Sequence, residues 1–177
     1  MRTLYTVSYP EVSGSDRERI EAFRRAHDVP SRDLIAAHFT MVFGVRDFDE
    51  DAYIKHVAAI ARASGSIEFT CRYAMLGADD ADDTAYVFLV PDEGYSSVSL
   101  LHDRLYTGPL EQFHRLDIPY IPHITIGTLH DRAEAKELCA RLNRDGVNIS
   151  GRLNSLTVGA LAGGKFVNLQ RLALAAV

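Results

Sequence analysis

The period of apolar and polar positions changes several times along this chain, and each change marks an element. Ile54, Val57, Ala58, Ile60 and Ala61 recur at the three-to-four spacing of one helix face, with Asp49 or Asp51 placed to cap its start. Ala133, Ala135, Leu138, Cys139 and Leu142 form a second such stripe, which Gly146 stops. Elsewhere the period falls to two, the signature of strands. The pattern predicts strands at 3–9, 36–45, 67–76, 84–90 and 118–129, with two more near 149–161 and 165–175. It predicts helices at 15–28, 49–64, 95–106 and 131–145. Gly163-Gly164 is a hairpin turn signal between the last two strands. The acidic stretch Gly77-Ala78-Asp79-Asp80-Ala81-Asp82-Asp83 reads as a solvated hairpin connection whose spacing matches no calcium loop.

No stretch rich in Pro, Gly or Ser divides the chain, so a single domain over 1–177 is expected. The order of elements nonetheless repeats between the halves. It predicts an α+β architecture that is bilobal and duplicated: two facing antiparallel sheets, helices outside, and a central cleft.

Two of the predicted strands share a local pattern. Ala37-His38-Phe39-Thr40-Met41-Val42 and Pro122-His123-Ile124-Thr125-Ile126-Gly127 each place a histidine and a threonine two residues apart among apolar neighbours. Residues i and i+2 of a strand point the same way. His38, Thr40, Val42 and Gly44 are thus expected on one face, with Phe39, Met41 and Phe43 on the other. The second strand puts His123, Thr125 and Gly127 opposite Ile124 and Ile126. Gly44 and Gly127 are expected to leave room beside the polar pairs for a ligand. The two histidines lie 85 residues apart, close to half the chain, which fits one pair per lobe.

Two imidazoles and two hydroxyls suit phosphodiester chemistry. A neutral imidazole takes a proton from the attacking water or hydroxyl, and a protonated one delivers a proton to the leaving oxygen. Neighbouring histidines resist double protonation, so one charged and one neutral ring is the favoured state near neutrality. Threonine hydroxyls can donate to the non-bridging oxygens. His38, Thr40, His123 and Thr125 are therefore the candidate catalytic set, and this scheme calls for no metal or other cofactor. Tyr5 and Tyr120 are candidates for stacking a base, and Arg72 and Lys165 for holding a phosphate. His27, His56, His102, His114 and His130 lack the close ligand spacing of a zinc site, so none is expected there.

The net charge of −5 argues against a groove that grips long nucleic acid, while a small phosphorylated ligand or an RNA end remains compatible. Cys71 and Cys139 are far apart and sit in apolar segments, which predicts buried free thiols. The first residues read as a strand rather than a signal peptide, and no run approaches the roughly 18 apolar residues of a membrane span, so a cytoplasmic protein is expected.

With these residues in view, the sequence resembles the two-histidine (2H) phosphoesterase superfamily, which includes bacterial 2'-5' RNA ligase-like proteins and 2',3'-cyclic nucleotide phosphodiesterases. His38-Phe39-Thr40-Met41 and His123-Ile124-Thr125-Ile126 match its paired His-x-Thr/Ser-x motifs, and Pro122 is similar to the family pattern. The resemblance implies a bilobal α+β fold. It also implies action by His38, Thr40, His123 and Thr125 on a 2',3'-cyclic or related phosphodiester of a nucleotide or RNA end. By the same resemblance His123 would activate water and His38 would protonate the leaving group. A 2'-5' RNA ligase-type activity is the reverse chemistry of the same groups. A non-catalytic module holding a phosphorylated nucleotide in the same cleft is the other reading.

Overall fold

The computed structural model describes residues 2–78 and 84–175; most of the acidic connection, 79–83, lies outside them. In chain order the elements are β1 (Leu4–Ser8), β2 (Glu11–Val12), α1 (Gly14–His27), α2 (Val29–Arg32), β3 (Phe39–Val45), α3 (Glu50–Arg62), β4 (Ile67–Ala78) and β5 (Ala85–Glu93). Then follow α4 (Tyr95–Leu105), a 3-10 turn (Gly108–Phe113), β6 (Ile124–Leu129), α5 (Arg132–Asp145), β7 (Ile149–Leu153), β8 (Ser155–Ala162) and β9 (Lys165–Ala173).

Helices α1, α3 and α5 start where side-chain oxygens meet otherwise orphaned amides. Asp49 accepts from Ala52 at the head of α3, Asp131 from Ala133 and Glu134 at the head of α5, and Ser13 from Asp16 at the head of α1. Gly146, at φ 82°, ends α5. Gly163 and Gly164 both have positive φ, as the tight turn between β8 and β9 requires.

All pairings between the named strands are antiparallel, in two sheets of order β3-β1-β8-β9 and β2-β7-β4-β5-β6. Four strands of the second, β6-β5-β4-β7, repeat the order of the first, so β3 and β6 occupy equivalent edges. Helix α3 packs on β8 and β9, and α5 on β4, β5 and β6. The helix preceding each special strand reaches the opposite lobe: α1 packs on β6, and α4 packs on β3. Buried residues from both halves form one continuous cluster, and Phe39 of one sheet meets Phe69 of the other edge-on at 5.2 Å.

Three expectations need correction. The strand predicted near 149–161 breaks at Asn154 into β7 and β8, which belong to different sheets, so the chain crosses between lobes there. Period-two alternation continues across such a crossing and cannot reveal it. The strands predicted at 36–45 and 118–129 begin only at Phe39 and Ile124, leaving each histidine one residue ahead of its strand. Before His123, Pro119 and Pro122 lack the amide donors a ladder needs. Residues Gly108–Phe113 and Val29–Arg32, unassigned by the pattern, form short helical turns that each begin beside a proline.

Candidate active site

His38 and His123 are held in the same way. In each, Nδ1 lies against the carbonyl oxygen two residues earlier: Ala36 at 2.8 Å and Ile121 at 2.6 Å. A carbonyl only accepts, so each Nδ1 carries a proton and donates it. Nε2 is then the working atom, a lone pair when the ring is neutral and an N–H donor when it is charged. Edge strands that begin one residue later leave these two carbonyls outside the ladders, available to the rings.

The rings have different walls. His123 stacks on Phe88 at 3.8 Å, and Phe88 stacks in turn on Tyr86 at 5.8 Å. Gly77 on β4 gives Phe88 its room, since a Cβ there would collide with the ring. His38 instead meets Tyr9 edge-on at 6.5 Å, and the Tyr9 hydroxyl donates to Asn168.

Burial depresses the basicity of both histidines. His38 is lowered to about 4, chiefly by loss of solvation, although its bond to Ala36 and the carboxylate of Asp28 oppose the shift. The charges of Arg24 and His123 add to the depression. His123 is also lowered by burial, against the effect of its bond to Ile121. The influence of His123 on His38 places the two rings within charge–charge range of each other.

A buried network ties the two motifs together. Arg24 on α1 and Asp28, the residue that caps its end, form an ion pair of 2.9 Å in which both side chains are almost wholly out of solvent. Arg24 Nη2 also donates to the Ile35 carbonyl, fixing the segment that delivers Ala36 and His38. The other oxygen of Asp28 accepts from Thr128 Oγ1 at 2.7 Å, five residues beyond His123. Tyr120 adds a second tie, donating its hydroxyl to the Thr40 carbonyl at 2.9 Å.

A cavity of ≈ 490 Å³ opens beside the second motif, with Phe43, Phe88, Arg115, Tyr120, His123 and Thr125 among its lining residues. His38 and Thr40 do not line it; the Thr40 carbonyl is tied to its wall by the Tyr120 hydroxyl. A larger hollow of ≈ 870 Å³ lies by Glu68, Arg152 and Arg171, away from both motifs. Its charged groups neutralise one another: Arg152 pairs with Glu68, and Arg171 with Glu11.

Strand faces depart from simple alternation because each special strand is bulged. The pairing of β3 with β1 slips between Thr40 and Val42, and again before Val45. Val42 is consequently fully buried, and it is Phe43, 42% exposed, that lines the cavity. A slip in β6 next to Thr125 likewise turns Gly127 away. Neither glycine makes room for a ligand. A Cβ on Gly127 would meet Leu129 and Leu138, and one on Gly44 would meet Thr3 and Tyr5.

Of the aromatic candidates, Tyr120 lies flat on His102 at 3.6 Å and lines the cavity. Tyr5 packs edge-on against Phe166 at 6.1 Å, with its phenol over Gly44, and does not line it. Arg72 is engaged by Asp92 and Glu93 on the surface, and Lys165 is exposed at the β8–β9 turn. Arg24, Asp28, Thr128 and Phe88 carry no signal in the sequence, and His102 is there set aside with the other histidines on helices. Arg24 and Asp28 stand at the i,i+4 spacing of an ordinary surface pair, and only the tertiary packing of α1 on β6 buries them.

A family model described as the 2'-5' RNA ligase superfamily matches residues 12–165. The chain belongs to the 2'-5' RNA ligase superfamily. No curated protein matches it. Among solved structures, this superfamily member is similar to E. coli LigT in apo form, at 20% identity and a TM-score of 0.58, covering 98% of this chain and 97% of that one. LigT complexed with 3'-AMP matches at 18% identity and a TM-score of 0.59, covering 98% of each chain. Kluyveromyces marxianus Usb1 with uridine monophosphate matches at 9% identity and a TM-score of 0.58, covering 97% of this chain and 99% of that one. At these identities the likeness extends to the fold: two antiparallel sheets with helices against them. Members of the superfamily act on phosphodiester bonds. Among the described residues no helix is long and apolar enough to cross a membrane.

Proposed function

We propose that this protein is a phosphoesterase that opens a 2',3'-cyclic phosphodiester on a nucleotide or RNA end, with His38 and His123 as its base and acid. The observation that carries the reading is the matched tethering of the two rings, each with Nδ1 committed to a backbone carbonyl and Nε2 left to act. LigT with 3'-AMP and Usb1 with uridine monophosphate have nucleotide ligands of suitable size, which supports a small nucleotide or RNA end as substrate. Two buried free thiols favour a reducing compartment, the cytoplasm.

In the proposed step, one Nε2 removes a proton from water as its oxygen attacks phosphorus. The bond from phosphorus to one ribose oxygen breaks, and that oxygen takes a proton from the other Nε2, leaving a nucleoside monophosphate. Thr40 and Thr125 donate to the non-bridging oxygens, where charge builds up. One imidazole takes a proton and the other gives one, so the scheme needs no metal. Burial lowers both rings, and at His38 the charge of Arg24 opposes protonation while that of Asp28 favours it. We take His38 as the base and His123 as the acid, the reverse of the roles the family resemblance implies, and a change of leaving group distinguishes the two assignments.

The test is turnover of the four nucleoside 2',3'-cyclic phosphates with chelator present. Wild type should act on at least one, and His38→Ala and His123→Ala should each lose about 10²–10⁴-fold in kcat. A phosphodiester with an aryl leaving group needs no protonation, so it should spare His123→Ala far more than His38→Ala. Wild type inert on all four but binding 3'-AMP would replace the enzyme with a binding module. The opposite leaving-group pattern would exchange the two roles.

A further inference from the structure

His102 on α4 forms a second cluster of ionisable groups that the phosphodiester scheme leaves unused. Its ring is fixed on two sides, with Nδ1 donating to the Met41 carbonyl at 3.0 Å and Tyr120 stacked on its face at 3.6 Å and 1°. A histidine whose Nδ1 is committed to a carbonyl has its Nε2 aimed and its tautomer set, the condition found behind metal-bound imidazoles. His114, at the end of the 3-10 turn, crosses it with ring centres 5.5 Å apart at 68°. Its own ring is steadied by Tyr106, stacked at 4.8 Å and 16°. Asp103 follows His102 on α4, and one ligand atom from each of the three residues lies within 4.8 Å of the other two.

We propose that His102, His114 and Asp103 bind one divalent late first-row transition-metal ion, zinc foremost. Two imidazoles and a carboxylate are a donor set that such ions take. Zinc holds these ligands at about 2.0–2.2 Å, which puts donors about 3.4 Å apart around a tetrahedral ion. The cluster therefore has to contract by up to about 1.4 Å. Asp103 is exposed and His114 half-buried, so both have room to move while His102 stays fixed. Solvent on the open side supplies the remaining ligand. The spacing 102, 103 and 114 contains no short zinc signature; it is the turn after α4 that folds His114 back over His102.

The ion would join α4 to the segment leading through Tyr120 to His123, and so brace one wall of the cavity. This inference is independent of the phosphoesterase reading. Chelator-stripped protein is titrated with zinc by calorimetry and with cobalt(II) by absorption spectroscopy. One equivalent of each should bind, cobalt should show the intense visible bands of four-coordination, and Tm should rise with free zinc. His114→Ala and Asp103→Asn, away from the packed core, should each weaken binding by at least about tenfold and abolish the rise in Tm. Lack of saturable binding at micromolar zinc would overturn the proposal. So would binding that both variants leave unchanged, since the ion would then sit elsewhere. Activity on cyclic phosphates is a separate measurement, and failure there leaves the metal result standing.

Discussion

At His38 two demands pull against each other. The ring must be packed closely enough to be aimed, and that packing strips the water that would support its charge, lowering its pKa to about 4. His123 is shifted in the same direction. With the base unprotonated only above about 4 and the acid protonated only below a value under 6.5, kcat/KM should peak on the acid side of pH 6.5. A pH series of kcat/KM with its maximum above pH 7 would contradict these assignments. The same shift reaches stability. In the unfolded chain His38 titrates near 6.5, so its contribution to folding is fully present above that pH and lost as pH falls toward 4. Tm should therefore drop from pH 7 to pH 4.5, and His38→Asn should flatten part of that drop.

Among the elements, β4 and β5 carry an unobtrusive requirement of the site. Gly77 leaves the space in which Phe88 lies, and Phe88 is the plate on which His123 stacks. Gly77→Ala should displace the ring, cost about 1–3 kcal/mol as an overpacking change, and lower kcat through a disturbed His123. Urea denaturation and steady-state kinetics measure the two effects, and normal kcat with normal stability would sink the argument. The helices and most strands were legible in the sequence because their capping residues and apolar periods act locally. Thr125, which lines the cavity, was legible beside its histidine for the same reason, whereas Thr40 does not line it. The glycines were misread: the bulges in β3 and β6 come from pairing with β1 and β5, and pairing register leaves no trace in one strand's own pattern. Phe88, Arg24 and Asp28 escaped because their partners are supplied by distant strands and helices.

For the molecule as a whole, the Arg24–Asp28–Thr128 network is the principal buried polar link between the site's halves. Asp28→Asn would leave the buried Arg24 with only the longer pair to Glu21 at 3.7 Å, and removing one partner of a buried pair costs about 3–5 kcal/mol. Replacing Arg24 and Asp28 together by apolar residues of similar volume should recover much of that stability. Activity should stay low, because the segment carrying His38 would lose its anchor at Ile35. Denaturation midpoints and kcat for the single and double variants make the comparison. Stability and activity that recover together would show that the network holds the fold without aiming the ring.

The crossing at Asn154 has a consequence for how the protein is made. β1 sits between β3 and β8, and β8 is among the last strands of the chain. A nascent chain that has completed both histidine motifs therefore still lacks half of the first sheet. Until the residues of β8 and β9 have left the ribosome, Tyr9 has no Asn168 to hold it and the strand beside His38 lacks its second neighbour. The second sheet, whose strands end at Leu153, can pair before then, so the lobe carrying His123 leads and the site closes only when the first sheet is completed by the long-range strand pairing that makes folding slow.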